Sequence, residues 1–342
     1  MKYQSIYKVI ILLFLWCLTT KTNAQTLVWQ ESFDSTTMNL ATWTYDLGDG
    51  CAKGICGWGN SELEYYTNRT ENARIEDGKL VIEAHRETRP EAFGGKNFTS
   101  ARLKTEGLMH FQYGTLEARI KIPNLTKGLW PAFWTLGTVG GGWPNIGEID
   151  IMEVGAAAAL EANLGNKQVS SAAHWGDSTG KHQFNVFHIE AAADLSLDYH
   201  LYKMVWTPQY IKMYLDNTEY YTLDISGGAA ANMSEFHNPH FILLDLAIGG
   251  QYTGLYTEGS VTAPLPSKMY VDYVKLYQNK GDVLHLLADN GKASTDKYGI
   301  VTNNTPVNAV LNPASEIKPK KVKKTRSQKN SSNQKPKRGG IR

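Results

Sequence analysis

The sequence predicts an all-β fold of two antiparallel sheets packed face to face. Three observations carry that reading. Leu116-Glu117-Ala118-Arg119-Ile120-Lys121-Ile122 and Tyr270-Val271-Asp272-Tyr273-Val274-Lys275-Leu276 alternate apolar and polar residues with period two. Asp77-Gly78 and Asp216-Asn217 separate pairs of such segments as hairpin turns do. Long 3.6-residue periodicity is absent, and many short strands with turn signals between them imply a sandwich. Strong curvature would make one face of it concave.

Taken in order, residues 1–24 read as a signal peptide. Lys2 and Lys8 precede the apolar run 9–18, and Thr22-Asn23-Ala24 offers small residues before a cut ahead of Gln25. The run is short for a membrane span, and a short anchor is the rival reading. An exported protein, extracellular or periplasmic, is the expectation. Residues 25–278 form one unit of ordinary domain size. Its candidate strands are 27–30, 63–66, 73–75, 79–84, 101–105, 113–122, 147–154, 202–206, 211–215, 241–247 and 269–277. Residues 156–162 could make a helical turn, but their place after strand 147–154 favours a loop. Residues 279–317 carry Asn-Gly, Asn-Asn and Asn-Pro turn signals with short apolar scraps, and read as a linker with room to pack partly on the domain.

The last segment, 318–342, holds eleven Lys or Arg and no acid. It has too little apolar surface to offset its own ordering, so a disordered basic tail is expected. Removing those eleven and the three lysines of 1–24 from the total of 35 leaves 21 basic residues against all 33 acids, so 25–317 carries a net charge of −12 beneath the whole-chain +2. The basic run has no aromatics, which argues against nucleic acid as a partner. An anionic surface is the contact such a tail would make. Cys51 and Cys56 are too few for a four-ligand metal site. They could close a small disulfide worth roughly 2–3 kcal/mol at best, or stay free thiols.

The chemistry concentrates in Gly147-Glu148-Ile149-Asp150-Ile151-Met152-Glu153, with Trp130, Trp134 and Trp143 just before it. Alternation puts Glu148 and Asp150 on one strand face and would put Glu153 on the other. One extra residue, a β-bulge, returns Glu153 to the first face. Carboxylates pushed together cannot all ionise at their free pKa values, so one keeps its proton near neutral pH. An acid and a nucleophile side by side are what a glycosidic bond needs, and indole faces stack on sugar rings. A solvated acidic strand beside core tryptophans is the rival reading, weakened because acidic residues are poor strand formers.

Residues 25–278 resemble glycoside hydrolase family 16, the laminarinase-type branch. The resemblance rests on Trp58-Gly59-Asn60-Ser61-Glu62-Leu63-Glu64-Tyr65-Tyr66, Ser100-Ala101-Arg102, Gly128-Leu129-Trp130-Pro131-Ala132-Phe133-Trp134, Trp143-Pro144, the Glu-Ile-Asp-Ile-Met-Glu core, His174-Trp175-Gly176 and Ala247-Ile248-Gly249-Gly250. It implies a curved jelly-roll sandwich with a concave cleft, an endo-acting retaining mechanism and β-glucan substrates. Glu148 would be the nucleophile, Asp150 the helper and Glu153 the acid/base, with no cofactor for catalysis. The bulged form with Met152 resembles β-1,3-glucan-cleaving enzymes. Mixed-linkage β-1,3-1,4-glucanases, agarases and carrageenases are the nearby alternatives, and a non-catalytic β-glucan-binding protein is the alternative of another class.

Trp134 would floor the cleaved-sugar subsite with Trp130 nearby, and Trp143 would be a rim platform, each with a core tryptophan as rival. His174 would contact Asp150 or the sugar, or else be a satisfied structural histidine. Asn60 and Arg102 match positions that bond sugar hydroxyls, or brace a loop. Glu62 and Glu64 read as a solvated or supporting strand face. The resemblance expects Asn where Asp245 stands. It also implies a structural calcium at Glu31, Gly78 and Asp272. A monomer acting on a glucan polysaccharide or oligosaccharide is the expected unit.

Overall fold

The computed structural model describes residues 25–125, 127–228, 233–288 and 292–294. Residues 1–24, read as a signal peptide, residues 295–317 of the expected linker and the expected tail 318–342 lie outside the described residues.

Two ten-stranded sheets build the molecule. The sheet that carries the cleft runs, neighbour to neighbour, β13 (His182–Glu190), β12 (Gln168–Gly176), β11 (Glu148–Val154), β10 (Leu129–Gly137), β17 (His240–Ile248), β8 (Met109–Gln112), β19 (Val283–Ala288) and β20 (Lys292–Ser294). On its flank β7 (Arg102–Lys104) pairs with β17, and β2 (Thr44–Asp46) pairs with β7. The second sheet runs β16 (Thr218–Asp224), β15 (Tyr210–Leu215), β14 (His200–Trp206), β9 (Gly114–Lys121), β18 (Ser267–Gln278), β5 (Lys79–Arg86), β6 (Phe98–Ser100) and β3 (Glu64–Tyr66). There β1 (Thr26–Glu31) adds to β18 and β4 (Ala73–Glu76) to β5. Pairing is antiparallel apart from β3 with β6. The core lies between the sheets. Phe133, Ile149, Leu244 and Leu246 of one meet Leu116, Met204, Trp206 and Leu276 of the other in one apolar cluster.

The period-two segments behave as their pattern requires. β9 alternates buried and half-buried residues along its length. Asp77-Gly78 joins β4 to β5 and Asp216-Asn217 joins β15 to β16, with positive φ at all four positions. That backbone twist suits tight hairpins and selects Asp, Asn and Gly.

Two expected strands hold with trimmed ends, and one expected loop changes. The strand over 113–122 is β9, and Tyr113 (φ 62°) at its start turns the chain out of β8 in the other sheet. The strand over 101–105 is β7, and buried Ala101 separates it from β6, which lies in the other sheet. Residues 157–161, read as a loop, form a helix, α1 (Ala157–Glu161), tied to the segment after β17 by the Ala157 N–H donating to Tyr252 O. Strands β10, β12, β13 and β16 were not in the predicted set. β13 is an edge strand whose outward residues mix His, Phe and Glu, so alternation is hard to see. Cys51 and Cys56 are joined in a disulfide.

Candidate active site

β11 is the spine of the site. Across the sheet, Glu148 faces Leu136 of β10 and His174 of β12. Asp150 faces Trp134 and Ala172, and Glu153 faces Ala132 and Ser170. Directly opposed residues share a face, so these side chains line one surface. Between Asp150 and Glu153 the register slips by one residue against both neighbours. Ile151 and Met152 are both buried in the core. The extra residue is therefore spent inward, and Glu153 turns back to the cleft.

Each acid has its own surroundings. Glu148 leaves 19% of its side chain open to solvent. Burial and then the neighbouring Asp150 push its carboxyl up to about 8, against the pull of His174, Trp143 and Arg102. Asp150 is raised well above the usual range by burial and by Asp245. Glu153 is raised by burial and then by Asp150, and its Oε1 accepts from Trp130 Nε1 at 3.0 Å. The three titrate as a set with fewer than three charges near neutrality. His174 Nε2 sits 3.2 Å from Asp150 Oδ2 and 3.9 Å from Glu148 Oε1. Among the described residues it is the only ion-pair partner of either carboxylate.

The aromatic residues divide by position. Trp130 stacks on Tyr252 at 4.8 Å with rings 14° apart, beside Glu153. Trp134 donates from Nε1 to Asp245 Oδ1 at 2.6 Å. Trp143 is 52% exposed at the rim and lies 4.5 Å from the His182 ring. Arg102 does not reach freely into the cleft. It is buried, donates from Nε to Asp46 Oδ2 at 2.9 Å, and lays its guanidinium 4.1 Å over Trp58 and 5.6 Å from Trp134. Asp46 also pairs with Lys53 and Lys104, and is held down to about 2 against burial by Arg102 and these lysines. Asn60 donates to Glu62 Oε1 at 3.3 Å.

Glu62 and Glu64 are a correction to the solvated reading: both are buried. Glu62 accepts from Tyr66 at 3.0 Å, and Glu64 accepts from the Ile248 N–H at 2.6 Å. They alternate with Leu63 as expected, but the face they share is roofed by β17. Burial and Glu62 raise Glu64 well above the carboxylate range, so it holds its proton.

Sequence reasoning missed His182, whose Nε2 lies 2.9 Å from His174 Nδ1. It also missed Asp245 as the partner of Trp134, and Tyr252. Only Asp245 had a signal, as a departure from the expected Asn. His182 gave none, because its neighbour His174 becomes visible only when β12 and β13 pair.

The calcium residues stand apart from the cleft. Asp272 accepts from Arg119 Nη1 at 2.7 Å, and buried Glu31 accepts from the Phe33 N–H and from Asn39. Asp34 approaches Gly78 and adds a charge near Glu31. Among the described residues, the only place where three His, Cys, Asp or Glu ligand atoms gather within 4.8 Å of one another is Glu148, Asp150 and His174. Glu31 and Asp272 offer carboxylates and Gly78 a carbonyl, and Asp272 is already paired with Arg119.

A β-sandwich with three carboxylates on the strand crossing an aromatic cleft defines the glycoside hydrolase class. Residues 60–261 match the family model of glycosyl hydrolases family 16, and the chain belongs to that family. It is 36% identical over 279 residues to the clotting factor G alpha subunit of Tachypleus tridentatus, covering 81% of this chain and 37% of that protein. It is 37% identical to a glucan endo-1,3-beta-glucosidase of Cryptopygus antarcticus, covering 68% of this chain and 83% of that protein. The laminarinase catalytic domain of Thermotoga maritima superposes with a TM-score of 0.64 at 37% identity, covering 75% of this chain and 98% of that one. The chain spans less than two-fifths of the length of the first curated relatives it matches.

Proposed function

We propose that this chain is an exported, endo-acting β-1,3-glucanase of the retaining kind. The observation that carries the reading is the bulge at Ile151 and Met152, which sets Glu153 on the same face as Glu148 and Asp150. The names of the similar proteins add to it. The Cryptopygus relative is a glucan endo-1,3-beta-glucosidase and the Thermotoga structure a laminarinase.

In this reading Glu148 attacks the anomeric carbon and forms a glycosyl-enzyme. Glu153 protonates the departing oxygen and then takes a proton from water on the return step. A retaining pair needs its carboxyl groups about 5–5.5 Å apart. Asp150 lies between them along the strand, so a proton shared with Glu148 holds off ionisation of Glu153 until substrate binds. Trp134 is the floor of the reacting subsite and Trp130 its neighbour on the Glu153 side. Asn60 reaches sugar hydroxyls from the Trp58 side, and Arg102, paired with Asp46, braces Trp58 beside it. Cutting ahead of Gln25 would release the domain outside the cytoplasm, as a monomer, and N-terminal sequencing of the secreted protein tests that.

A β-1,3-glucan curves helically, whereas a β-1,4 chain runs straight. Fixed stacking planes at Trp130 and Trp134 hold the reacting bond in line for one and displace it for the other. A displacement of about 1 Å can cost on the order of a hundredfold in rate. Laminarin should give short oligosaccharides early, with the anomeric configuration kept in the first product. A preference for lichenan, agarose or carrageenan in kcat/KM sinks the linkage assignment, and an inverted product sinks the retaining one. Calcium at Glu31, Gly78 and Asp272 would have to draw Asp272 from Arg119. A thermal midpoint that rises with calcium and falls with chelator supports it, and an unchanged midpoint removes it.

A further inference from the structure

We propose that His182 is a positioning residue for the reaction. It orients the ring of His174 and sets which of its nitrogens carries hydrogen toward Asp150. The inference rests on the glycosidase reading of this cleft and deepens it.

The geometry is a short chain of contacts. Asp150 Oδ2 is buried without a hydrogen-bond partner, and His174 Nε2 lies 3.2 Å from it. His174 Nδ1 faces His182 Nε2 at 2.9 Å. Beyond that pair, the His182 ring is flanked by Trp143 at 4.5 Å and stacked with Phe184 at 5.5 Å. Phe184 also stacks with His174 at 6.1 Å. Register explains the meeting. Gly176 of β12 faces His182, and His174 faces Phe184, so His182 is the diagonal neighbour of His174. The turn between the strands is tied by Asp177. Its Oδ1 accepts from the Thr179 and Lys181 N–H groups at 2.9 and 3.0 Å, and its Oδ2 accepts from Gln183 at 3.0 Å. The second imidazole is therefore held by the hairpin as well as by its stacking partners.

Two proton arrangements are open once His174 Nε2 closes onto the unpartnered Asp150 Oδ2. When Asp150 is ionised, His174 Nε2–H donates to it, and neutral His174 accepts at Nδ1 from His182 Nε2–H. When Asp150 carries the proton, it donates to His174 Nε2, and His174 Nδ1–H donates to His182 Nε2. Passing from the second state to the first moves one proton out. It goes from Asp150 to His174 Nε2, the Nδ1 hydrogen of His174 goes to His182 Nε2, and His182 releases its own Nδ1 hydrogen to water. His182 can play both parts because burial and then the neighbouring His174 push it down to about 4, so it stays neutral through the working range. The titratable groups that meet the two rings are Asp150 and Glu148 of β11. The loop before β11 contributes Trp143, and β13 contributes Phe184, both uncharged.

Two variants of the full chain test this. His182→Phe keeps a flat ring between Trp143 and Phe184 but removes the hydrogen bond. His182→Gln loses the ring but can donate or accept. On a laminari-oligosaccharide from pH 4 to 9, His182→Phe should lower kcat about five- to tenfold, with KM within about twofold. Its pH profile should change shape, and His182→Gln should recover most of the loss. Imidazole nitrogen shifts should show one dominant His174 tautomer in the parent and a mixture in His182→Phe. Parent-like kcat and pH profile in His182→Phe overturn the proposal. So does a loss confined to KM in both variants, which would make His182 a sugar platform. If the parent cleaves no β-glucan the glucanase reading fails, while the nitrogen shifts still decide the role of His182.

Discussion

In the proposed reaction the chemistry turns on Glu148, and its surroundings oppose its own ionisation. Glu148→Gln keeps the shape but is a far poorer nucleophile, so turnover should vanish while oligosaccharide affinity stays. Near-parent turnover would remove Glu148 from its role. The same variant carries a stability signature. A carboxyl raised from 4.5 to about 8 favours the folded state below pH 4.5 and loses that contribution as pH rises to 8. The thermal midpoint of Glu148→Gln relative to the parent should therefore climb between pH 4.5 and 8, and a flat difference would count against the raised pKa. Asp245 offers a second residue-level test. It accepts from Trp134 and is itself raised to about 7 by burial and by Glu62, with Arg102 opposing. Its charge raises Asp150. Asp245→Asn keeps an acceptor for the indole and removes the charge, so the acid limb of the pH–rate curve should move to lower pH. An unmoved limb, or one moved upward, would break the coupling between Asp245 and Asp150.

At the level of the strand, the bulge that takes up one extra residue decides whether β11 has two cleft carboxylates or three. Met152 and Ile151 both point into the core. Deleting Met152 leaves Glu-Ile-Asp-Ile-Glu, in which plain alternation keeps the last acid on the cleft face, so the strand should lose its bulge and keep measurable hydrolysis. Met152→Leu conserves volume and should cost less than about 1.5 kcal/mol of stability while keeping activity. A folded but inactive deletion variant would show that the bulge, and not the shared face alone, sets the working position of Glu153. The bulge itself was legible in Glu-Ile-Asp-Ile-Met-Glu, because three acids serve one cleft only if the register slips. The turn at Tyr113 was not, since a positive φ there is no property of tyrosine and is imposed by the crossing between sheets.

The whole chain separates an acidic body from a basic end. The tail 318–342 holds eleven of the 35 basic residues, and nothing in the proposed chemistry calls on it. Truncation after Ile317 should leave kcat on a short soluble oligosaccharide within about twofold, because the cleft is carried by the sandwich. A large fall would place the tail on the domain. Binding to anionic surfaces, if the tail makes it, should weaken as salt rises. Truncation after Gln278 is the sharper cut, since it also removes β19, which pairs with β8 in the cleft sheet.

Sequence alone determined the fold class, the three carboxylates and the need for a bulge. Each of these is written in neighbours a few residues apart: alternation, turn dipeptides, acids spaced along one strand. Tertiary structure decided what those residues touch. Trp134 meets Asp245 across 111 positions, Tyr66 meets the same carboxylate across 179, and Arg102 meets Asp46 across 56. Glu62 and Glu64 look like a wet face until β17 covers them, and His182 looks like an ordinary edge residue until β12 lies beside it. A β-sheet makes its contacts sideways, between strands distant in the chain, and no local pattern records which strand will be the neighbour.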